Sequence, residues 1–214
     1  MSAARPARLY RCAGCGSAMV EAAFVLAGQP LTLVEASRWE GRERLPELET
    51  LNPLGQVPTL VWPDGTVQSE SAAILVELAL RHPQAGLLPA EPALRAQALR
   101  WLVYLPANIY PQYTIRDFPE RWSDDPAVRS ALVGAATGRI QAGWQLLEAA
   151  LAPHGRFAFG DRPGALDLAI AVISRWTPGR AWFNRACPRL AALARAVDRV
   201  PALAPVWADN VPPT

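Results

Sequence analysis

At 214 residues, 51% apolar and 19% charged with eight Trp, the chain is long enough for a buried core of one domain or two and too apolar for a disordered segment. Its basic residues are all Arg, set against 19 acids scattered along the chain for a formal charge of +2, so no like-charged face marks a nucleic-acid partner. Three Cys and two His give neither an even disulfide set nor zinc-ligand spacing, and no stretch reads as a signal peptide or as the ~20 apolar residues of a membrane span. The expectations are therefore no metal, no membrane, and a reducing, cytoplasmic setting.

Residues 8–10 are a short strand candidate, followed by a Gly-rich turn at 13–16 and an Ala-rich helix over 17–27 that Ser17 can cap and Gly28 can end. Pro30 opens an alternating run, Leu31, Leu33 and Val34, which reads as a second strand. A short polar helix over 42–51 comes next. Two brief strands, 57–62 and 66–68, are then joined by the hairpin signal Pro63, Asp64 and Gly65. The spacing of Ile74, Leu75 and Leu78 predicts a helix over 69–81. Pro83, Gly86, Pro89 and Pro92 mark a connector over 82–92, and the rest is helical in period at 93–113, 127–151, 166–176 and 190–200. The expected organisation is a small mixed α/β domain over 1–81 and an all-helical domain over 93–214.

Several segments at this order resemble the glutathione transferase superfamily along nearly the whole chain. They are Leu9-Tyr10, the helix ending at Gly28, Asn52-Pro53-Leu54-Gly55-Gln56-Val57-Pro58-Thr59-Leu60, Glu70-Ser71-Ala72-Ala73-Ile74, and Gly160-Asp161-Arg162-Pro163 followed by Asp167. The resemblance implies a thioredoxin-like first domain, an all-α second domain, glutathione as cosubstrate and a homodimer. The residues fit that chemistry. A Val57-Pro58 peptide held cis presents the Val57 N–H and C=O like a free sheet edge, on which an extended tripeptide can pair; the plainer alternative is that Pro58 begins a strand. Glu70 can accept from the ammonium of glutathione, and Ser71 with the N–H groups opening the third helix can hold its carboxylate; the plainer alternative has Ser69 capping that helix. Gln56, Val57, Pro58, Glu70 and Ser71 are thus the glutathione-binding candidates, with Arg38 and Arg42 for the glycine carboxylate. Asp167, three residues after Gly164, reads as structural: a capping box without its hydroxyl.

Glutathione transfer needs a thiolate, and a thiol of pKa about 8.5 needs a donor at the sulfur. Counting back from Gly28, the positions where Ser-type and Cys-type members of the superfamily keep that donor fall on Gly14 and Gly16. Cys15, between them and ahead of a helix N-terminus, is the first catalytic candidate; Ser17 is the second, in competition with its capping role, and Tyr10 the third. Cys12 and Cys15 also form a C-x-x-C between strand and helix, which fits a glutathione-dependent thiol–disulfide oxidoreductase, while the glycines at the usual donor positions fit a non-catalytic glutathione-binding relative. The acceptor, a small apolar electrophile, is expected against the first helix of the second domain, with Tyr104, Asn108 and Tyr113 in its pocket and Pro106 and Pro111 bending that helix.

Overall fold

The computed structural model describes residues 5–36, 45–152 and 154–210. Four strands form one mixed sheet in the order β2-β1-β3-β4: β1 Ala7–Arg11, β2 Leu31–Glu35, β3 Thr59–Val61 and β4 Val67–Ser69. β1 and β2 are parallel, joined through α1 (Ser17–Leu26), whereas β3 runs antiparallel to β1 and β4 antiparallel to β3. Gly28, at φ 63, supplies the left-handed residue that lets the chain leave α1. The hairpin turn at Pro63, Asp64 and Gly65 closes with Gly65 at φ 90 and with Asp64 Oδ1 accepting from the Thr66 N–H at 2.8 Å.

Alternation along β1 divides the burial. Leu9 faces the main core under α1 and α3 (Ser71–Arg81), while its neighbour Tyr10 faces the other side against Leu48 of α2 (Pro46–Leu51). The polar helix expected over 42–51 is described only from Pro46 on. Ile74, Leu75 and Leu78 are fully buried, as the helical spacing of α3 requires.

Beyond α3 the chain is helical. A connector with one 3-10 turn at Pro83–Ala85 leads to α4 (Pro92–Tyr104), a π-helical stretch (Leu105–Ile109), α5 (Tyr110–Asp117), α6 (Pro126–Ala150), α7 (Ala165–Ile173), α8 (Arg180–Ala186), α9 (Pro188–Asp198) and α10 (Ala204–Asn210). This is a small mixed sheet with its helices followed by an all-α region. α8 and α10, seven residues each, are too short for periodicity to declare them. The single helix expected over 93–113 is broken because Pro106 has no N–H to donate, and the ladder widens until the Tyr110 N–H reaches Leu105 C=O.

α7 is buried along its whole length, and its start depends on Asp167. That carboxylate, 1% exposed, accepts from the Gly164 and Ala158 N–H groups, both at 2.8 Å. A Cβ at Gly164 would stand 3.0 Å from Leu87 C=O, which itself accepts from the Ala165 N–H at 2.8 Å. The connector carbonyl therefore occupies the place a capping hydroxyl would need, which is the physical reason for glycine here.

Candidate functional site

The strand register collects three loops at one end of the sheet. Tyr10 near the end of β1 pairs with Thr59 at the start of β3, and Thr59 pairs with Ser69 at the end of β4. The turn at 12–16, the Val57-Pro58 peptide and Glu70-Ser71 consequently share one edge. Val57-Pro58 is cis. The loop before it is shaped by a buried Asn52, whose Nδ2 donates to Gln56 C=O (3.3 Å) and to Thr59 Oγ1 (3.0 Å) while Oδ1 accepts from the Leu54 N–H (3.1 Å). Thr59 Oγ1 donates in turn to Gln56 C=O at 2.8 Å. Asn52 and Thr59 hold the shape of this edge, with the Gln56 side chain exposed and Val57 half-buried. Both lie inside the motif at 52–60, yet their role is set by contacts that a motif does not state.

Glu70 stands at φ 67, ψ 108 between β4 and α3, in a region that non-glycine residues enter at a cost of roughly 1–3 kcal/mol. Its side chain is exposed and makes no cap contact, and Ser71 begins α3 half-buried. Ser69 does not cap this helix: it is the last residue of β4, paired with Thr59. Arg38 and Arg42 lie outside the described residues.

In the turn before α1, Cys15 is half-buried, its N–H donating to Cys12 C=O (3.2 Å) and its own C=O accepting from the Ala18 N–H (3.2 Å). The first turn of α1 carries no acid to oppose the positive end of the helix beside Cys15. Cys12 is buried, its Sγ 3.5 Å from Ala13 C=O, and neither Cys is in a disulfide. Two of the expected donors are turned away. Ser17 is fully buried, its Oγ donating to Cys12 C=O (3.0 Å) and accepting from the Cys12 N–H (3.3 Å). It therefore locks the end of β1 rather than facing a sulfur, and it does not cap α1, whose N-cap is Gly16. Tyr10 is buried on the α2 side of the sheet, where burial pushes its phenol up to about 12.

The helical region grips this turn from the other side. Trp176 Nε1 donates to Gly14 C=O at 2.9 Å, and Asn210 Oδ1 accepts from the Gly14 N–H at 3.3 Å. The same Asn210 donates to Glu21 Oε2 (3.1 Å) and to Val206 C=O (3.0 Å). Glu21 is 3% exposed and receives Arg11 Nη1 on both oxygens at 3.1 and 3.2 Å, and Arg11 Nε reaches Glu35 Oε2 at 3.2 Å. Burial raises the Glu21 carboxyl against the pull of Arg11.

Of the three residues expected in the acceptor pocket, Tyr104 instead ties helices together, its Oη donating to Gly143 C=O at 3.2 Å and its ring edge-on to Trp101. Asn108 is exposed, its Nδ2 donating to Tyr104 C=O at 3.3 Å. Tyr113 is buried edge-on against Trp176, and burial pushes its phenol up to about 12. The residue that reaches the cleft is Tyr110. With Met19, Ser71, Leu105 and Ile173 it lines a recess between the two regions, its ring edge-on to Trp176 at 5.4 Å. A bend at proline does not announce this, because the π stretch adds a residue to the turn and so rotates everything after it by about 100°.

Cys187 is buried, and its thiol is pushed up to about 12, which leaves it unreactive. Among the described residues no group of three or more His, Cys, Asp or Glu is placed to hold a metal, and no helix is long and apolar enough to cross a membrane.

The chain is similar to known proteins in sequence and in fold. The model of the glutathione S-transferase N-terminal domain matches residues 17–81. An uncharacterised GST-like protein of Escherichia coli, YncG, is 32% identical over 204 residues, covering 95% of this chain and 98% of its own. A zeta-class glutathione S-transferase of Euphorbia esula is 30% identical over 90% of this chain and 85% of its own, and a maleylacetoacetate isomerase of Pseudomonas aeruginosa is 30% identical over 61% and 60%. Among solved structures, a glutathione S-transferase of Methylobacterium radiotolerans in complex with glutathione sulfonate superposes with TM-score 0.77 at 26% identity, covering 94% of each chain. A glutathione transferase homologue from Sulfitobacter, with bound glutathione, superposes with TM-score 0.84 at 23% identity, covering 94% of this chain and 96% of its own.

Proposed function

The chain belongs to the glutathione transferase family, and from that premise we propose that it is a glutathione-using enzyme whose cosubstrate lies along the sheet edge formed by Val57, Glu70 and the turn at Cys15. The observation that carries the reading is the convergence of three features on one edge: the cis Val57-Pro58 peptide, the exposed carboxylate of Glu70 held at φ 67, and a half-buried Cys15 in front of α1. An extended tripeptide pairs through Val57 as an added strand, with Gln56 and Pro58 flanking it. Its ammonium meets Glu70, and its α-carboxylate meets Ser71 and the first N–H groups of α3. The thiol then lies at Cys15 beside the positive end of α1, which favours its thiolate.

The acceptor is placed beside the thiol, against the cleft wall to which Met19, Leu105 and Tyr110 contribute apolar surface. Maleylacetoacetate, the substrate in the names of three of the relatives, belongs in the first panel of acceptors. A homodimer and a cytoplasmic location complete the proposal.

One observation favours a second reaction type. Cys15 is the accessible sulfur of the C-x-x-C and Cys12 lies buried behind it, an order that suits attack at Cys15 and thiol–disulfide exchange with glutathione. Turnover of glutathione with an electrophile panel and with a small disulfide, for wild type, Cys15→Ala and Cys12→Ala, separates the two. Conjugation that survives Cys12→Ala supports transfer, and disulfide reduction lost in both variants supports exchange. No turnover and no glutathione binding in wild type sinks both.

A further inference from the structure

The turn in front of α1 has no hydroxyl of its own to offer a sulfur. Gly14 and Gly16 carry no side chain, and the Ser17 hydroxyl is committed to both backbone groups of Cys12. Across the cleft, Tyr110 Oη is buried, and Ser71 is the one side chain that acts on it as a hydrogen-bonding group; like the hydroxyls of Tyr10 and Tyr113, it completes no hydrogen bond of full geometry among the described residues. A Cβ built on Gly16 would stand 3.1 Å from this Oη, so the hydroxyl already fills the space in which a side chain at Gly16 would begin. Its ring is braced edge-on by Trp176, which is itself fixed by its bond to Gly14 C=O at 2.9 Å. The donor and the turn it faces are thus held by one indole.

We propose that Tyr110, from the helical region, is the hydrogen-bond donor to the sulfur of the thiol bound at the mouth of α1. The proposal rests on the glutathione reading above. The thiol loses its proton to solvent; Tyr110 keeps its own, shares it with the sulfur lone pair, and no bond to Tyr110 forms or breaks. Burial, helped by Tyr113, Cys15 and Glu70 and opposed only by the hydrogen bond with Ser71, holds this phenol well above the ordinary phenol range, so it stays a donor wherever the thiol ionises. Gly16 is required for the same reason: at φ −61, ψ −17 its backbone suits any residue, and only the nearness of Tyr110 asks for glycine.

The test follows the ultraviolet thiolate absorbance of bound glutathione across pH, with binding of glutathione and of S-methylglutathione by calorimetry, for wild type, Tyr110→Phe and Gly16→Ala. The expected result is that Tyr110→Phe raises the apparent pKa of the bound thiol by about one to two, the worth of one hydrogen bond to a charged acceptor, while S-methylglutathione binds as in wild type. Gly16→Ala, whose methyl displaces the hydroxyl, raises it in the same direction. If wild type binds glutathione and Tyr110→Phe ionises it at the wild-type pH, the donor role is overturned while the glutathione reading stands. If Tyr110→Phe does not fold, an unchanged thiol pKa in Gly16→Ala overturns it instead. If wild type binds no glutathione, both readings fall.

Discussion

Asn210→Ala removes the side chain that ends α10, and its cost can be worked from three hydrogen bonds. The amide donates to an ionised, buried Glu21 at 3.1 Å and to Val206 C=O at 3.0 Å, and accepts from the Gly14 N–H at 3.3 Å. A bond to a charged group is worth about 1.5–3 kcal/mol and a neutral one about 1 kcal/mol. Glu21 keeps Arg11 on both oxygens and so is not left as a lone buried charge. The net loss is then about 3.5–5 kcal/mol, which for a chain of this size lowers Tm by about 7–20 °C. Turnover with glutathione should fall by about tenfold at a temperature where the variant is still folded, because the Gly14 turn that places Cys15 has lost one of its two grips. Trp176→Phe removes the other grip while keeping a ring, and a double-mutant cycle with Asn210→Ala should show coupling, since both bonds hold one residue. A thermal melt of Asn210→Ala within about 1 °C of wild type would refute the reasoning.

Three further outcomes follow from the same contacts. Asp167→Ala leaves the Ala158 and Gly164 N–H groups without an acceptor at the head of a fully buried helix, and chemical denaturation should show a loss of about 2–5 kcal/mol; a loss under about 1 kcal/mol would mean those groups find other partners. Burial lifts the Asp167 carboxyl to about 6 from an unfolded value near 3.8, so the folded state binds the extra proton between those values. The contribution of Asp167 is therefore most favourable below the lower value and declines as pH rises through about 6. Melts of wild type and Asp167→Asn from about pH 4 to about pH 8 should show the wild-type advantage shrinking over that interval, and an advantage growing with pH would reverse the sign. At Glu70 the backbone sits at φ 67, so Glu70→Gly should be at least as stable as Glu70→Ala, although glycine elsewhere costs about 0.5–1 kcal/mol more than alanine; equilibrium unfolding of the two variants decides it.

The parts legible in the sequence are those set by local chemistry. Gly28 announced the end of α1, Pro63-Asp64-Gly65 the hairpin, and the spacing of Ile74, Leu75 and Leu78 the buried face of α3. The cis peptide at Val57-Pro58 and the placing of Glu70-Ser71 on the same edge followed from a motif whose residues lie close in sequence. What stayed hidden depends on contacts between distant residues. Gly14 is held by Trp176 and Asn210 from the far end of the chain, and nothing in a C-x-x-C or a Gly-rich turn foretells a grip of that kind. Ser17 has the right residue type at a helix start, yet the strand end takes its hydroxyl. Helical spacing on a helix bent at Pro106 and Pro111 picks out Tyr104, Asn108 and Tyr113; the π stretch at Leu105–Ile109 adds a residue that a bend does not announce, and the tyrosine lining the cleft is Tyr110.

The central claim is that the edge formed by Val57, Glu70 and the Cys15 turn binds glutathione, and calorimetric titration of glutathione into the protein tests it most directly, beside Glu70→Ala and Ser71→Ala. The account predicts saturable binding in wild type at one glutathione per chain and affinity weakened by about tenfold or more in each variant, since each removes one charge-assisted hydrogen bond to the ligand. Absence of binding in wild type, or binding that neither variant weakens, would contradict it.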